Sequence, residues 1–414
     1  MSKLRNCAAV LLVCALIIGT GYFIGLRFPW QAIFQKQPQY ADPSTYLDEF
    51  QNKWQYNCLD SDLRECYGTI YTAMTDNFDK DADIDLTNEV VSDGDTPETA
   101  IGISIPLPKE LDSREKAREL FNAFFLDNPQ FFYVSNTFLI DGYTKGDQPH
   151  YNKIEFVYTM TADTRKQAQT KLGNAVSAIL KEVPQTDDEY DIEYYLHNKL
   201  VSNCTYDSDA ADKGSAEFPN AYSAYGAIAE GKAVCEGYAR GLQLLFDKTG
   251  IRGTLVRGES LENGEGHMWN MVSINGIPYH LDATWNDSKN NRRHNYFNVT
   301  TAQILLSHSI DEGQSGIVEC TAIKDNYYHR NDLYVDSFSR SVIAQKIAEQ
   351  IKRGETQVEF LFAKDKFENA RLFLKSRQAV LEQIGPHLAD SGYSLWSYSL
   401  YSYPEQHILR IVKK

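Results

Sequence analysis

The stretch "GHMWNMVSINGIPYHLDATWND", residues 266–287, constrains local geometry more tightly than any other part of this 414-residue chain. Asn275-Gly276 is a favoured pair for a two-residue hairpin turn, because both positions tolerate the positive φ that such a turn demands. Strand-like residues flank it on both sides, so the segment reads as two antiparallel strands. Counting outward from the turn, Ile274 opposes Ile277, Met271 opposes His280, Trp269 opposes Asp282 and His267 opposes Thr284. Side chains alternate between the faces of a strand. His267, Trp269, Met271, His280, Asp282 and Thr284 therefore share one face, with His267 and Asp282 diagonal neighbours about 7–8 Å apart at the backbone. Pro278 falls where its missing N–H costs no hydrogen bond of this pair. A carboxylate beside an imidazole fixes the ring's tautomer and stabilises its protonated form. The same pair also serves as a plain structural contact on a polar sheet face.

A second stretch gives the histidine something to act on. In "GKAVCEGYARGLQLLF", residues 231–246, Tyr238, Leu242, Leu245 and Phe246 recur at helical spacing, which places Cys235 in the first turn of a buried helix. There the unpaired N–H groups and the helix dipole favour a thiolate. One reading of Cys235 is a small buried hydrophobe. The other is a nucleophile whose proton is taken by an oriented histidine.

"GKAVCEGYA", "GHMWNMVSINGIPYHLDATWND" and the following "YFNVT" together resemble the transglutaminase-like superfamily, which has a papain-like fold. The three blocks agree in residue type, order and local structure over about residues 190–310, and "YYLHNKLVSNCTYD" is similar to the lead-in helix of bacterial extracellular members. The resemblance implies an α+β fold whose core is a Cys-bearing helix packed on an antiparallel sheet; alternating and helical apolar patterns on either side read as small flanking α+β regions. It implies Cys235 as nucleophile, His267 as general base and then acid, and Asp282 as the group that orients His267. The backbone N–H of Cys235 is the natural first donor to an oxyanion. Tyr222 and Tyr225 are the side-chain candidates for the second donor, and Trp269 and Trp285 are expected to line the cleft. His280, nearer the turn, is read as structural.

The rest of the chain sets the context. Lys3 and Arg5 precede an uncharged run from Ala8 to Leu26, and Arg27 follows it. That length suits a transmembrane helix, and the expectation is a single-pass anchor, or a signal segment if cleaved, with the catalytic domain outside the cytoplasm. The expected division is an anchor over 1–30, an α+β region of unassigned role over 31–185, the catalytic domain over 186–325 and a small α+β domain over 326–414. A formal net charge of −15, with 41 basic against 56 acidic residues and no basic run, argues against nucleic acid as a partner. The spacing of Asp79, Asp81, Asp83 and Asp85 fails the calcium-loop pattern at Ile84 and Val90. No zinc-spaced cluster and no phosphate loop is present in the sequence, so neither metal nor cofactor is expected.

Five of the seven cysteines lie beyond the apolar run. An odd number leaves at least one thiol free in an oxidising compartment; Cys58–Cys66 with Cys204–Cys320 is one pairing, and five reduced thiols is the other state. The function expected is thiol acyl transfer on peptide or glutaminyl amides, cell-wall peptides among them. Water as acceptor makes the chain a cysteine peptidase or amidase, and an amine makes it a crosslinking transglutaminase. The alternative is a catalytically silent module that uses the same fold to bind or scaffold partners at the cell surface.

Overall fold

The computed structural model describes residues 24–27, 46–86, 99–287 and 293–414. Most of the run from Ala8 to Leu26 lies outside the described residues; its end, with Arg27, forms the short strand β1 (Ile24–Arg27). Among the described residues no helix is long and apolar enough to cross a membrane.

The first unit is an α+β layer. Helix α1 (Ser61–Asp76) starts at Asp60, whose carboxylate accepts the N–H of Leu63. The strands β2 (Ala82–Asp85) and β3 (Thr99–Leu111) follow. Helix α2 (Arg114–Asp127) is capped by Ser113, whose side chain accepts the N–H of Lys116. Turns over 129–133 lead into β4 (Val134–Lys145). With β5 (Gln148–Tyr158) the sheet order is β1-β4-β5-β3-β2. Helix α3 (Ala162–Leu180) carries Leu172, Val176 and Ile179 into the core, as their spacing requires. Asp81, from the acidic run, is spent on the fully buried Arg165 at 2.7 Å.

The central unit holds helix α4 (Glu189–Asn203) and the parallel pair β6 (Thr205–Tyr206) and β7 (Lys232–Ala233), which leads straight into helix α5 (Cys235–Thr249). The sheet behind it is antiparallel: β8 (Arg252–Ser260), β9 (Gly266–Ile274), β10 (Ile277–Leu281) and β11 (His308–Ile310), in the order β10-β9-β8-β11. Asn275 and Gly276 both have positive φ, 51° and 80°, and Ile274 faces Ile277 across the turn, as expected. One face of the sheet presents Leu255, Met268 and Val272 to Tyr238, Leu242 and Leu245 of α5, in a core that continues into the first unit. The other face buries Val256, Trp269 and Met271 against Tyr296, Val299 and Ile304.

The last unit has its own core. Its sheet runs β12-β13-β15-β14, from β12 (Tyr334–Val335), β13 (Gln357–Phe362), β14 (Tyr398–Tyr403) and β15 (Ile408–Lys413). Helices α7 (Arg340–Lys352), α8 (Phe367–Lys375) and α9 (Arg377–Leu388) pack on it, α6 being the short helix Ala283–Asn286 of the central unit. The five described cysteines are all free, so the pairings considered above do not form.

Candidate active site

Cys235 is the first residue of α5, where its N–H has no acceptor within the helix. Gly237 explains how the helix start is held. A Cβ there would sit 2.3 Å from the carbonyl oxygen of Ala221, so only glycine lets α5 lie directly on the Ala221–Ser223 backbone. Val234, just ahead of the cysteine, donates its N–H to that same Ala221 carbonyl. Further along, Asn270 Nδ2 of β9 donates to the Ala239 carbonyl and ties the helix to the sheet at 3.0 Å.

The hairpin register holds as counted up to Leu281, which opposes Asn270. Beyond it the expected ladder breaks: His267 does not face Thr284 but pairs with Gly258 of β8 on its other side. Asp282 leaves the strand and becomes the N-cap of α6, its Oδ1 accepting the N–H of Trp285 at 3.1 Å. The backbone N–H of Asp282 goes to the Tyr296 carbonyl. An aspartate followed by "ATWN" is a helix start as readily as a strand residue, and the cap wins here. The consequence for the site is small, because Asp282 Oδ2 still reaches His267 Nε2 at 2.9 Å. With Nε2 given to the carboxylate, Nδ1 is the nitrogen left for the thiol, and Cys235 lies close enough to add to the upward shift of the His267 imidazole.

The electrostatics follow from burial and pairing. Burial by itself disfavours a charged His267, but the Asp282 carboxylate and the Cys235 sulfur outweigh it and push the imidazole up to about 10. Burial likewise opposes a charged Asp282. Its two imidazole partners, His267 and His308, reverse this and hold the carboxyl well below the usual carboxylate range. His308 is the residue that sequence reading missed. It is fully buried, and its Nε2 donates to the same Asp282 Oδ2 at 3.1 Å. A lone histidine in "LLSHSI" carries no local signal for this, because the contact spans 26 residues and depends on β11 closing the sheet.

The other expected residues fall in different places. Trp285 lines the cleft beside His267, with ring centroids 5.6 Å apart. Trp269 does not: it is 1% exposed, packs in the core beneath the site and donates its Nε1–H to His280 Nδ1 at 3.1 Å. His280 is buried as well and pushed down to about 4 by burial, with His308 adding to the effect. Tyr225 turns into the first unit, where it stacks on Phe132 and lies beneath Lys171, so it is no oxyanion donor. Tyr222 feels the charge of Cys235, but its hydroxyl is committed to the Ala210 carbonyl at 2.9 Å. Tyr206 was overlooked within "NCTYD". The β6–β7 pairing sets it opposite Ala233, its phenol is raised first by burial and next by Cys235, and its ring remains 40% exposed.

A cleft of about 530 Å³ opens beside His267. Tyr206, Glu265 and Trp285 line it from the central unit, and Tyr403 and Gln406 come from the β14–β15 hairpin of the last unit. Gln406 Oε1 also accepts from Asn295 Nδ2 at 2.9 Å, pinning that hairpin to the cleft. A larger cavity of about 670 Å³ lies between α2 and the 311–315 loop and touches none of the three expected catalytic residues. His267 Nε2, Asp282 Oδ2 and His308 Nε2 lie within 4.8 Å of one another, close enough to hold a cation. Hydrogen bonds among these three residues already use the same atoms, and no metal is assigned.

No family model and no curated protein matches the chain. Solved structures similar to it include a transglutaminase at 16% identity and a TM-score of 0.27, covering 50% of this chain and 56% of that one. A protein described as a candidate cysteine protease of Cytophaga hutchinsonii is 14% identical with a TM-score of 0.23, over 35% of this chain and 61% of its own. A candidate protease of Parabacteroides distasonis is 10% identical with a TM-score of 0.21, over 33% of this chain and 29% of its own. The chain thus spans less than two thirds of the length of each.

Proposed function

We propose that the protein is a thiol acyl-transfer enzyme acting on peptide or glutaminyl amides through Cys235, His267 and Asp282. One observation carries this reading. His267 gives one nitrogen to a buried carboxylate and has the other left for a cysteine at a helix start, which is what an activated thiol requires. Burial pushes Cys66 and Cys320 up to about 11 and Cys204 to about 12, as expected of inert buried thiols.

In the first step the Cys235 sulfur attacks the amide carbonyl while the imidazolium of His267 gives its proton to the departing amine, leaving a thioester. In the second, water or an amine attacks the thioester, His267 takes its proton, and the thiolate leaves. The Cys235 N–H supplies one oxyanion donor, and the Tyr206 phenol is the better-placed candidate for the other. The part of the apolar run that precedes β1, Ala8 to Phe23, is the segment that would tether the protein to a membrane with its site outside the cytoplasm and surface peptides as substrates.

The test incubates the protein with peptide and glutaminyl substrates, with and without a primary amine, and reads the products by mass spectrometry. Hydrolysis, deamidation or amine incorporation that disappears in Cys235→Ser is the expected result. Turnover that survives in Cys235→Ser overturns the assignment, and no turnover of any substrate, cell-wall peptides included, favours a binding module.

A further inference from the structure

We propose that His308 is a positioning residue of this site, a second imidazole that holds the carboxylate of Asp282 in the orientation His267 needs. The inference rests on the reading of Cys235 and His267 given above.

A buried carboxylate has about four lone-pair positions to satisfy. Asp282 is fully buried; its Oδ1 takes the Trp285 N–H, and its Oδ2 takes both His267 and His308. Without His308, Oδ2 would be fixed only by the histidine it is meant to orient. His308 removes that circularity, because its own position is set by its strand's pairing with β8 and not through Asp282. Backbone pairing fixes β11 on β8, with His308 opposite Ser260 and Ile310 opposite Gly258. Gly258 allows the approach: a Cβ there would lie 1.7 Å from the Ser309 carbonyl oxygen. The ring is walled by Trp285 and Trp269, at centroid distances of 4.4 and 4.9 Å.

The tautomer, assigned from the hydrogen-bond network, is set from behind. The Ser307 hydroxyl accepts from Tyr296 Oη at 3.1 Å and lies 2.9 Å from His308 Nδ1, with the Ile304 carbonyl its more distant acceptor at 3.5 Å; given to Nδ1, the hydroxyl proton leaves the ring proton on Nε2, facing Asp282. The hydrogen-bonded chain therefore runs Tyr296–Ser307–His308–Asp282–His267. The titratable groups around His308 are Asp282, His267, His280 and Tyr296.

The test follows the alkylation of Cys235 by iodoacetamide from pH 5 to 9, located by peptide mapping, with thermal stability measured alongside. His308→Leu removes the donor, and the freed carboxylate no longer aims Oδ2 at His267. The rate at pH 6 should fall about tenfold, as for loss of one charge-assisted hydrogen bond, and the rate–pH curve should move to higher pH. His308→Gln restores an N–H donor and should return the rate to within about threefold of wild type. Ser307→Ala, which frees the tautomer without emptying the site, should slow the reaction about threefold and move the curve the same way. That variant decides the matter if His308→Leu does not fold. An unchanged curve in His308→Leu, or in Ser307→Ala where that variant decides, overturns the proposal. So does equal slowing in the Leu and Gln variants with parallel losses of thermal stability. A His267→Ala protein that alkylates as fast as wild type would instead overturn the Cys235–His267 reading beneath it.

Discussion

Replacing Asp282 by Asn asks whether the carboxylate charge, rather than the shape of the site, makes the thiol reactive. Asn keeps the volume and one acceptor oxygen, but Asp282 receives three donors: Trp285 N, His267 Nε2 and His308 Nε2. The amide would turn an NH₂ toward at least one of them. With the carboxylate gone, the largest influence left on His267 is burial, which lowers its pKa against the weaker upward pull of Cys235, so the ring holds its proton less firmly and the thiol loses much of its ion-pair partner. An unassisted thiol with the ordinary pKa of about 8.5 is about 0.3% thiolate at pH 6. Relative to a fully formed pair, that is a loss of about 300-fold in reactive species. More basic thiolates are intrinsically better nucleophiles, which offsets part of the loss and leaves about a tenfold net slowing. The assay is iodoacetamide alkylation at pH 6, with the Cys235 peptide quantified apart from the exposed Cys58. Circular dichroism confirms folding, because breaking a buried pair can cost about 3–5 kcal/mol. A folded Asp282→Asn protein that alkylates within twofold of wild type at pH 6 would refute the reasoning.

The same pair makes stability depend on pH. His267 is raised above its ordinary value of 6.5 to about 10, so its contribution is full below pH 6.5 and is lost as pH rises toward 10. The wild-type melting temperature should fall across that range relative to His267→Gln, and parallel curves for the two proteins would count against the ion pair. In the cleft, Gln406→Ala and Tyr403→Ala should raise KM about two- to tenfold with kcat nearly unchanged, as for loss of uniform binding; a fall in kcat alone would remove the β14–β15 hairpin from substrate contact. Gly258→Ala should cost about 1–3 kcal/mol, read as a lower melting temperature, because the added Cβ forces β11 away from β8. It should slow Cys235 alkylation as well, since His308 moves with β11, and an unaltered melting temperature would contradict the close approach.

What could be read from the sequence was what local rules determine. The Asn275-Gly276 turn fixes its own geometry, and the register follows from it by counting as far as Leu281. The start of α5 was legible from helical spacing, because Cys235 precedes a clear apolar stripe. The counting failed at Asp282, where helix capping competes with strand continuation and tertiary contacts decide between them. Trp269 was misplaced for a related reason: alternation identifies a face, but it does not say whether that face meets solvent or a second layer built from residues 296–320. Tyr206 and His308 were out of reach because each arrives through a non-local pairing, β6 with β7 and β11 with β8. The β14–β15 hairpin is more distant still, belonging to a unit with a separate core.

These non-local contributions tie the proposed chemistry to completion of the fold. Cys235 comes from a helix start, His267 from the second residue of β9, Asp282 from a helix cap and His308 from the strand that closes the sheet edge. Short strands at a sheet edge are among the first elements to open locally, since few contacts hold them. Opening of β11 would remove one of the three donors from Asp282 while leaving the hairpin that carries His267 paired. The reactivity of Cys235 should therefore decline under mild denaturant before the core unfolds. Alkylation at pH 6 measured against urea, beside far-UV circular dichroism of the whole chain, tests this directly. Reactivity lost at a lower urea concentration than the dichroism is the expected order, and coincident transitions would mean that β11 opens only when the whole sheet does.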